Sequence, residues 1–316
     1  MTIIQLLLTV AIVVIISMSA VIWFGLLARR RAVGELLCTE PRSLVPWRGT
    51  HVAVAFFLYL VASLIVTLFV QQRFGIPGKE TDFGNNPDAI AWLLGGNSLL
   101  NLVAIALVII FLRIDLKATL ADLGWRRDRA KSDLLYGGIA FVAIAPVVYL
   151  IQIALKTAYN QISDEPAAHP IEIILRENPT PWIIFWCFFS AIVAAPLVEE
   201  FLFRVILQGW LEKKFHGARG LFVTESSTPE PHSGTIIATE IPPPFMWPPI
   251  IISSLTFSFL HVGHGPDPIP LLLLALVLGY LYAKTHRILP CIVVHMALNG
   301  FSMLVLWNGL SDPTGL

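Results

Sequence analysis

The sequence predicts an all-α protein, a polytopic membrane helical bundle of about eight transmembrane helices. Three observations carry this expectation. Of the 316 residues, 56% are hydrophobic and 13% charged, whereas a soluble domain of this length carries about 25% charged residues. The apolar residues gather into eight runs separated by polar, Pro- and Gly-containing segments. The basic residues cluster on alternate loops, which is the pattern of the positive-inside rule.

The candidate spans are 3–27, 51–70, 90–112, 134–155, 181–207, 247–261, 270–283 and 288–306. A signal peptide would place basic residues before an apolar core of about 7–15 residues. Here Arg29, Arg30 and Arg31 follow a run long enough to cross about 30 Å. Residues 1–28 therefore read as an uncleaved anchor with its N-terminus outside. The sixth and seventh runs are short for a span of about 20 residues, and Gly263, Gly265, Pro266, Pro268 and Pro270 break the chain between them. One of the two is expected to be tilted or partly re-entrant.

With eight spans and both termini non-cytoplasmic, 17 of the 21 basic residues fall on the cytoplasmic side and 4 on the other. The chain divides into an N-terminal region of about three spans, 1–133, and a second membrane region, 134–310. Residues 220–244, rich in Ser, Thr, Pro and Glu, read as a flexible cytoplasmic loop. No internal repeat of the transporter kind is present. Net charge is zero, so nucleic acid is not an expected partner. Cys187 and Cys291 lie in apolar runs and read as small buried hydrophobes; Cys38, in a basic loop, is a candidate for acylation. The bilayer is read as a bacterial plasma membrane.

Ionised groups at bilayer depth are costly, about 2.5–3.5 kcal/mol each on insertion scales, and default to a functional reading. Glu199, Glu200 and Arg204 lie on the fifth run, Phe257 and His261 end the sixth, and His295 and Asn299 lie on the eighth. Glu200 and Arg204 are i,i+4 and form a helix-surface pair. Glu199 points about 100° away, uncommitted to that cation. His295 and Asn299 share a face and offer donors to a single oxygen, the composition of an oxyanion hole. His261, from a third helix, shares a water with Glu199. Glu200, Arg204 and Phe257 support this set. If the three helices converge, the chemistry is peptide hydrolysis inside a membrane. A variant makes His261, His295 and Glu199 ligands to zinc, although no HExxH motif stands behind it. Asn97 and Asn101 line one face of the third run, for interhelical hydrogen bonding or for substrate contact. The same polar pocket also suits a non-catalytic membrane binding or immunity protein, or a transporter's buried carboxylate relay.

At these residues the chain resembles the CAAX proteases and bacteriocin-processing enzymes, the type II CAAX endopeptidase group also called the CPBP or Abi family. Its pattern of EExxxR, FxxxH and HxxxN on successive membrane helices stands here as Glu199-Glu200-x-x-x-Arg204, Phe257-x-x-x-His261 and His295-x-x-x-Asn299. The resemblance covers roughly 137–306 and departs in the lengthened link at 220–244. It implies a catalytic Glu199 with His261 activating water, His295 and Asn299 stabilising the transition state, and Glu200 and Arg204 supporting. It also implies a membrane-associated protein or peptide substrate, prenylated CAAX-type or bacteriocin-like. Family members are described both as glutamic and as metal-dependent proteases.

Overall fold

The computed structural model describes residues 3–40, 44–76, 86–163, 169–218, 246–262 and 265–310. All of its regular structure among these residues is helical. The polar loop expected at 220–244 lies outside the described residues.

The helices follow the apolar runs. They are α1 Ile3–Val33, α2 Gly49–Phe74, α3 Pro87–Asp115, α4 Ala130–Ile162, a short α5 Pro170–Glu177, and then the fifth run. That run is divided into α6 Pro181–Phe189, a π-helical segment Ser190–Ala194, α7 Ala195–Glu200, a second π-helical segment Phe201–Gln208, and α8 Gly209–Ala218. The last three are α9 Trp247–Phe259, α10 Pro268–Thr285 and α11 Leu289–Leu310. Seven stretches among the described residues are long and apolar enough to cross a bilayer. The chain is an integral multi-pass membrane protein.

The two short candidates resolve differently. α10 reaches 18 residues because Pro268 and Pro270 sit in its first turn, where a missing N–H leaves no bond unmade. α9 has 13 residues, about 20 Å at 1.5 Å per residue, and stops short of a crossing. The Ser258 hydroxyl donates to Pro268 O at 2.6 Å, which ties the end of α9 to the start of α10.

Small residues let the helices approach. A Cβ on Gly96 would meet Val66 of α2 at 2.8 Å, and one on Gly95 would meet the Trp186 ring of α6 at 2.7 Å. Two consecutive glycines thus seat α3 against two neighbours, as small-residue packing does where lipid supplies no hydrophobic drive between helices. α1 is held on α4 by Ser19 and Trp23, which both donate to Ala143 O, beside the turn loosened by Pro146.

The segment Phe201–Gln208 is buried on nearly every side, Arg204 and Gln208 included. Wide π turns occur mostly as local distortions, frequently at functional sites. Here side chains from elsewhere cap their carbonyls. Trp47, wholly buried before α2, donates to Ile206 O at 3.1 Å, and Ser253 of α9 donates to Phe203 O at 2.8 Å. At the other end of the bundle from the α9–α10 turn, Arg287 bridges Asp133 of α4 (2.6 Å) and Glu40 before α2 (2.7 Å). Lys284 bonds Thr39 at 2.8 Å. One core joins residues from both sides of position 133. Cys187 and Cys291 are buried, as expected of small hydrophobes, and Cys38 is exposed.

The glycine at 95 gives a direct test of this packing. Gly95→Val drives two methyl groups toward the Trp186 ring, and overpacking of this kind costs about 1–3 kcal/mol. The detergent-solubilised variant should melt several degrees below the parent, while Gly138→Ala, in open space, should not.

Candidate active site

The site is built on α7, the six-residue α-helical piece between the two π-helical segments. Glu200 points into the protein and is fully buried; Glu199, one residue earlier, keeps 21% of its side chain exposed. The two acids are therefore inequivalent. Each carboxylate oxygen of Glu200 has a partner. Arg204 Nε donates to Oε2 at 3.0 Å, the pair that i,i+4 spacing predicts. His295 Nδ1 bonds Oε1 at 2.9 Å.

The second contact was not legible from spacing. It joins residues 95 positions apart and gives Glu200 a task beyond neutralising Arg204. An ionised carboxylate only accepts, so His295 Nδ1 is the donor. The other ring nitrogen, Nε2, then lies 3.7 Å from Glu199 Oε2. Hydrogen bonds join Arg204, Glu200 and His295, and the row ends beside the partly open Glu199 carboxylate. A buried acid that fixes an imidazole through Nδ1 and supports its charged form is the device of the serine-protease triad, with Arg204 added beneath.

Phe257 of α9 is the hub of the second layer. Its ring centroid lies 4.8 Å from that of His261 and 6.1 Å from that of His295, and the Arg204 guanidinium carbon lies 5.8 Å from it. A cation over an aromatic face at this distance is favourable, more so when desolvated. Phe257 thus walls the site rather than merely filling the core. His261 stands in the turn after α9 and its Nδ1 lies 2.9 Å from Phe257 O. A carbonyl only accepts, so Nδ1 is the donor of this pair and carries a ring proton. His261 is partly buried.

Asn299 is placed differently from the sequence expectation. One of its amide N–H groups donates to Ala191 O at 2.8 Å, in the first π-helical segment. His295 and Asn299 share a face of α11, but their donors go to Glu200 and to Ala191 and do not meet on one oxygen. The second amide N–H of Asn299 and Nε2 of His295 are what remain for an oxyanion. Sequence reasoning also passed over Ser253, whose hydroxyl lies 3.5 Å from Arg204 Nη1. A lone serine on an apolar helix carries no spacing signal of its own.

The zinc variant has no donor set to support it. Among the described residues no group of three or more His, Cys, Asp or Glu side chains gathers to hold a metal ion, and His295 Nδ1 and Glu200 are engaged with each other. No step is derived through a metal.

The Glu200–Arg204 pair sets the stability of the whole site. Arg204→Met leaves a wholly buried carboxylate with only His295 beside it, and removing one partner of a buried pair costs about 3–5 kcal/mol. The variant should melt well below the parent in detergent. The double variant Glu200→Met/Arg204→Met should recover most of that loss in stability.

Residues 180–229 and 230–301 match a family model described as type II CAAX prenyl endopeptidase Rce1-like. The two matched pieces meet within 220–244, where the link between the first and second motifs is long. No curated protein and no solved structure matches the chain. Glu199, Glu200, Arg204, Phe257, His261, His295 and Asn299 all lie inside the matched stretch, so it is this part of the chain, less than half of its length, that is similar to the Rce1-like type II CAAX prenyl endopeptidase family.

Proposed function

We propose that the protein is an intramembrane endopeptidase that hydrolyses a peptide bond of a membrane-associated protein or peptide, prenylated CAAX-type or bacteriocin-like. The observation that carries this reading is the buried Arg204–Glu200–His295 relay, which ends 3.7 Å from Glu199. A bundle packed only for stability gains little from three desolvated ionisable groups aimed at a fourth that is open to a cavity.

Glu199 and His261 take a proton from a water held between them, and the water oxygen adds to the substrate carbonyl carbon. The carbonyl oxygen becomes an oxyanion. His295 Nε2 donates to it as an imidazolium, since Nδ1–H is committed to Glu200, and the second amide N–H of Asn299 donates beside it. The C–N bond then breaks. The oxygen from water stays on the new carboxyl group, and the proton held by Glu199 passes to the leaving nitrogen. Glu200 and Arg204 touch neither substrate nor water; they hold His295 in orientation and charge.

Cleavage of a membrane-anchored substrate in proteoliposomes tests the assignment. Glu199→Gln and His261→Ala should each lower kcat about 10²–10⁴-fold, and Asn299→Ala about 10²–10³-fold. Glu199→Gln and His261→Ala should insert and melt like the parent, whereas Asn299→Ala, which leaves Ala191 O without its donor, should melt lower. Full cleavage by both Glu199→Gln and His261→Ala would sink this assignment of the catalytic residues.

A further inference from the structure

The helices α2 and α3 lie outside the family-matched stretch, yet with α7 and the segment Ser190–Ala194 they enclose a cavity of about 310 Å³ that reaches Glu199. Its walls carry Ser63, Thr67, Asn97, Ser98 and Asn101. Their hydrogen bonds give the lining a bias. The Thr67 hydroxyl donates to Ser63 O at 2.9 Å, that of Ser98 to Leu94 O at 2.8 Å, and Asn101 Nδ2 to Ser63 Oγ at 3.1 Å. These protons are returned to the protein, while oxygen lone pairs remain. Asn97 Oδ1 is buried and makes no hydrogen bond among the described residues. A buried acceptor left unmet carries a desolvation penalty that any incoming donor relieves. The side-chain amide torsion of asparagine is soft, so Asn97 can turn this oxygen onto such a donor. With the Glu199 carboxylate at one end, the cavity is rich in acceptors and carries negative charge.

We infer that this cavity is the subsite for the amine side of the reaction. It takes the N–H donors of the residue that follows the cleaved bond, and then the primary ammonium group that forms there when the leaving amine, protonated through Glu199, takes a further proton from water. The assignment rests on the endopeptidase reading of Glu199. A primary ammonium presents three donors and one positive charge, the complement of this lining. The carboxylate product, an anion with acceptors only, is disfavoured there by the Glu199 carboxylate. Asn97 and Ser98 are then positioning residues for the substrate, supplied by a part of the chain that the family match does not reach.

Glycinamide, a primary ammonium with amide donors, is a direct probe. It is titrated into the purified full-length chain in detergent and read by thermal unfolding, with N-acetylglycine as an anionic control of comparable size. Glycinamide should raise Tm saturably and N-acetylglycine should not. Asn97→Leu removes an unmet acceptor at nearly constant volume, so it should fold as well as the parent yet weaken glycinamide at least about tenfold, near the loss expected for one hydrogen bond to a charged group. Ser98→Ala should weaken it about threefold by the same reasoning. Equal glycinamide shifts in the parent and both variants, or an equal shift with N-acetylglycine, would overturn the subsite. His261→Ala separates this result from the catalytic assignment, because His261 does not line the cavity. It should be inactive and keep the glycinamide response. Full activity of His261→Ala with an Asn97-dependent response would refute the catalytic role given to His261 while leaving the cavity's affinity for ammonium standing.

Discussion

A fully buried ion pair inside a lipid-embedded bundle, Glu200 with Arg204, constrains everything around it. Each ion taken from water loses several kcal/mol of hydration even after relaxation, and only good geometry with further hydrogen bonds offsets this. The surroundings meet part of that demand, and Arg204 Nη2 makes no hydrogen bond among the described residues. His295 takes the second oxygen of Glu200, the Ser253 hydroxyl stands by Arg204 Nη1, and the Phe257 ring lies beside its guanidinium. These partners come from α11 and α9, so the requirement to satisfy two charges fixes how three helices meet. Glu199 inherits its setting from that arrangement. It is the next residue along, on a neighbouring face, in a place already organised for charge.

The π-helical segments are the backbone side of the same constraint. A wide turn misaligns carbonyls with the N–H groups that an α-helix would offer them, and unmet carbonyls are expensive away from water. Trp47, Ser253 and Asn299 each bring a donor to one of these carbonyls, at Ile206, Phe203 and Ala191. Asn299 therefore belongs to two systems, since one N–H braces the segment leading into α7 while the other is available at the site. The residues that make α7 unusual and those proposed to perform the reaction overlap.

Much of this was legible in the sequence. The spans follow from apolar runs that lipid imposes over about 20 residues, and the Glu200–Arg204 pair follows from helical spacing. The division between a committed Glu200 and an uncommitted Glu199 follows from the same geometry. What escaped has a common cause. The His295–Glu200 bond, the Asn299–Ala191 bond and the Trp47–Ile206 bond join positions 95, 108 and 159 residues apart. Two of them end on backbone carbonyls, which every residue has and none advertises. The shift to π-helical turns leaves no mark in hydropathy. The truncation of α9 was signalled by Gly263 to Pro270, but which of the two short runs is cut emerges only in three dimensions.

Trp47 has a bearing on how such a protein can be divided. It precedes α2, well outside the matched stretch 180–301, yet its indole closes a carbonyl of the segment that carries Arg204. Glu40 and Asp133, equally outside, hold Arg287 at the root of α11. The stretch with all the recognisable motifs is therefore not a module. Transplanted alone into another membrane scaffold, it would arrive with an open carbonyl and an unbalanced guanidinium. The N-terminal helices are thus tied to the matched stretch through a few inward-facing residues, Glu40, Trp47 and Asp133, rather than along a continuous face.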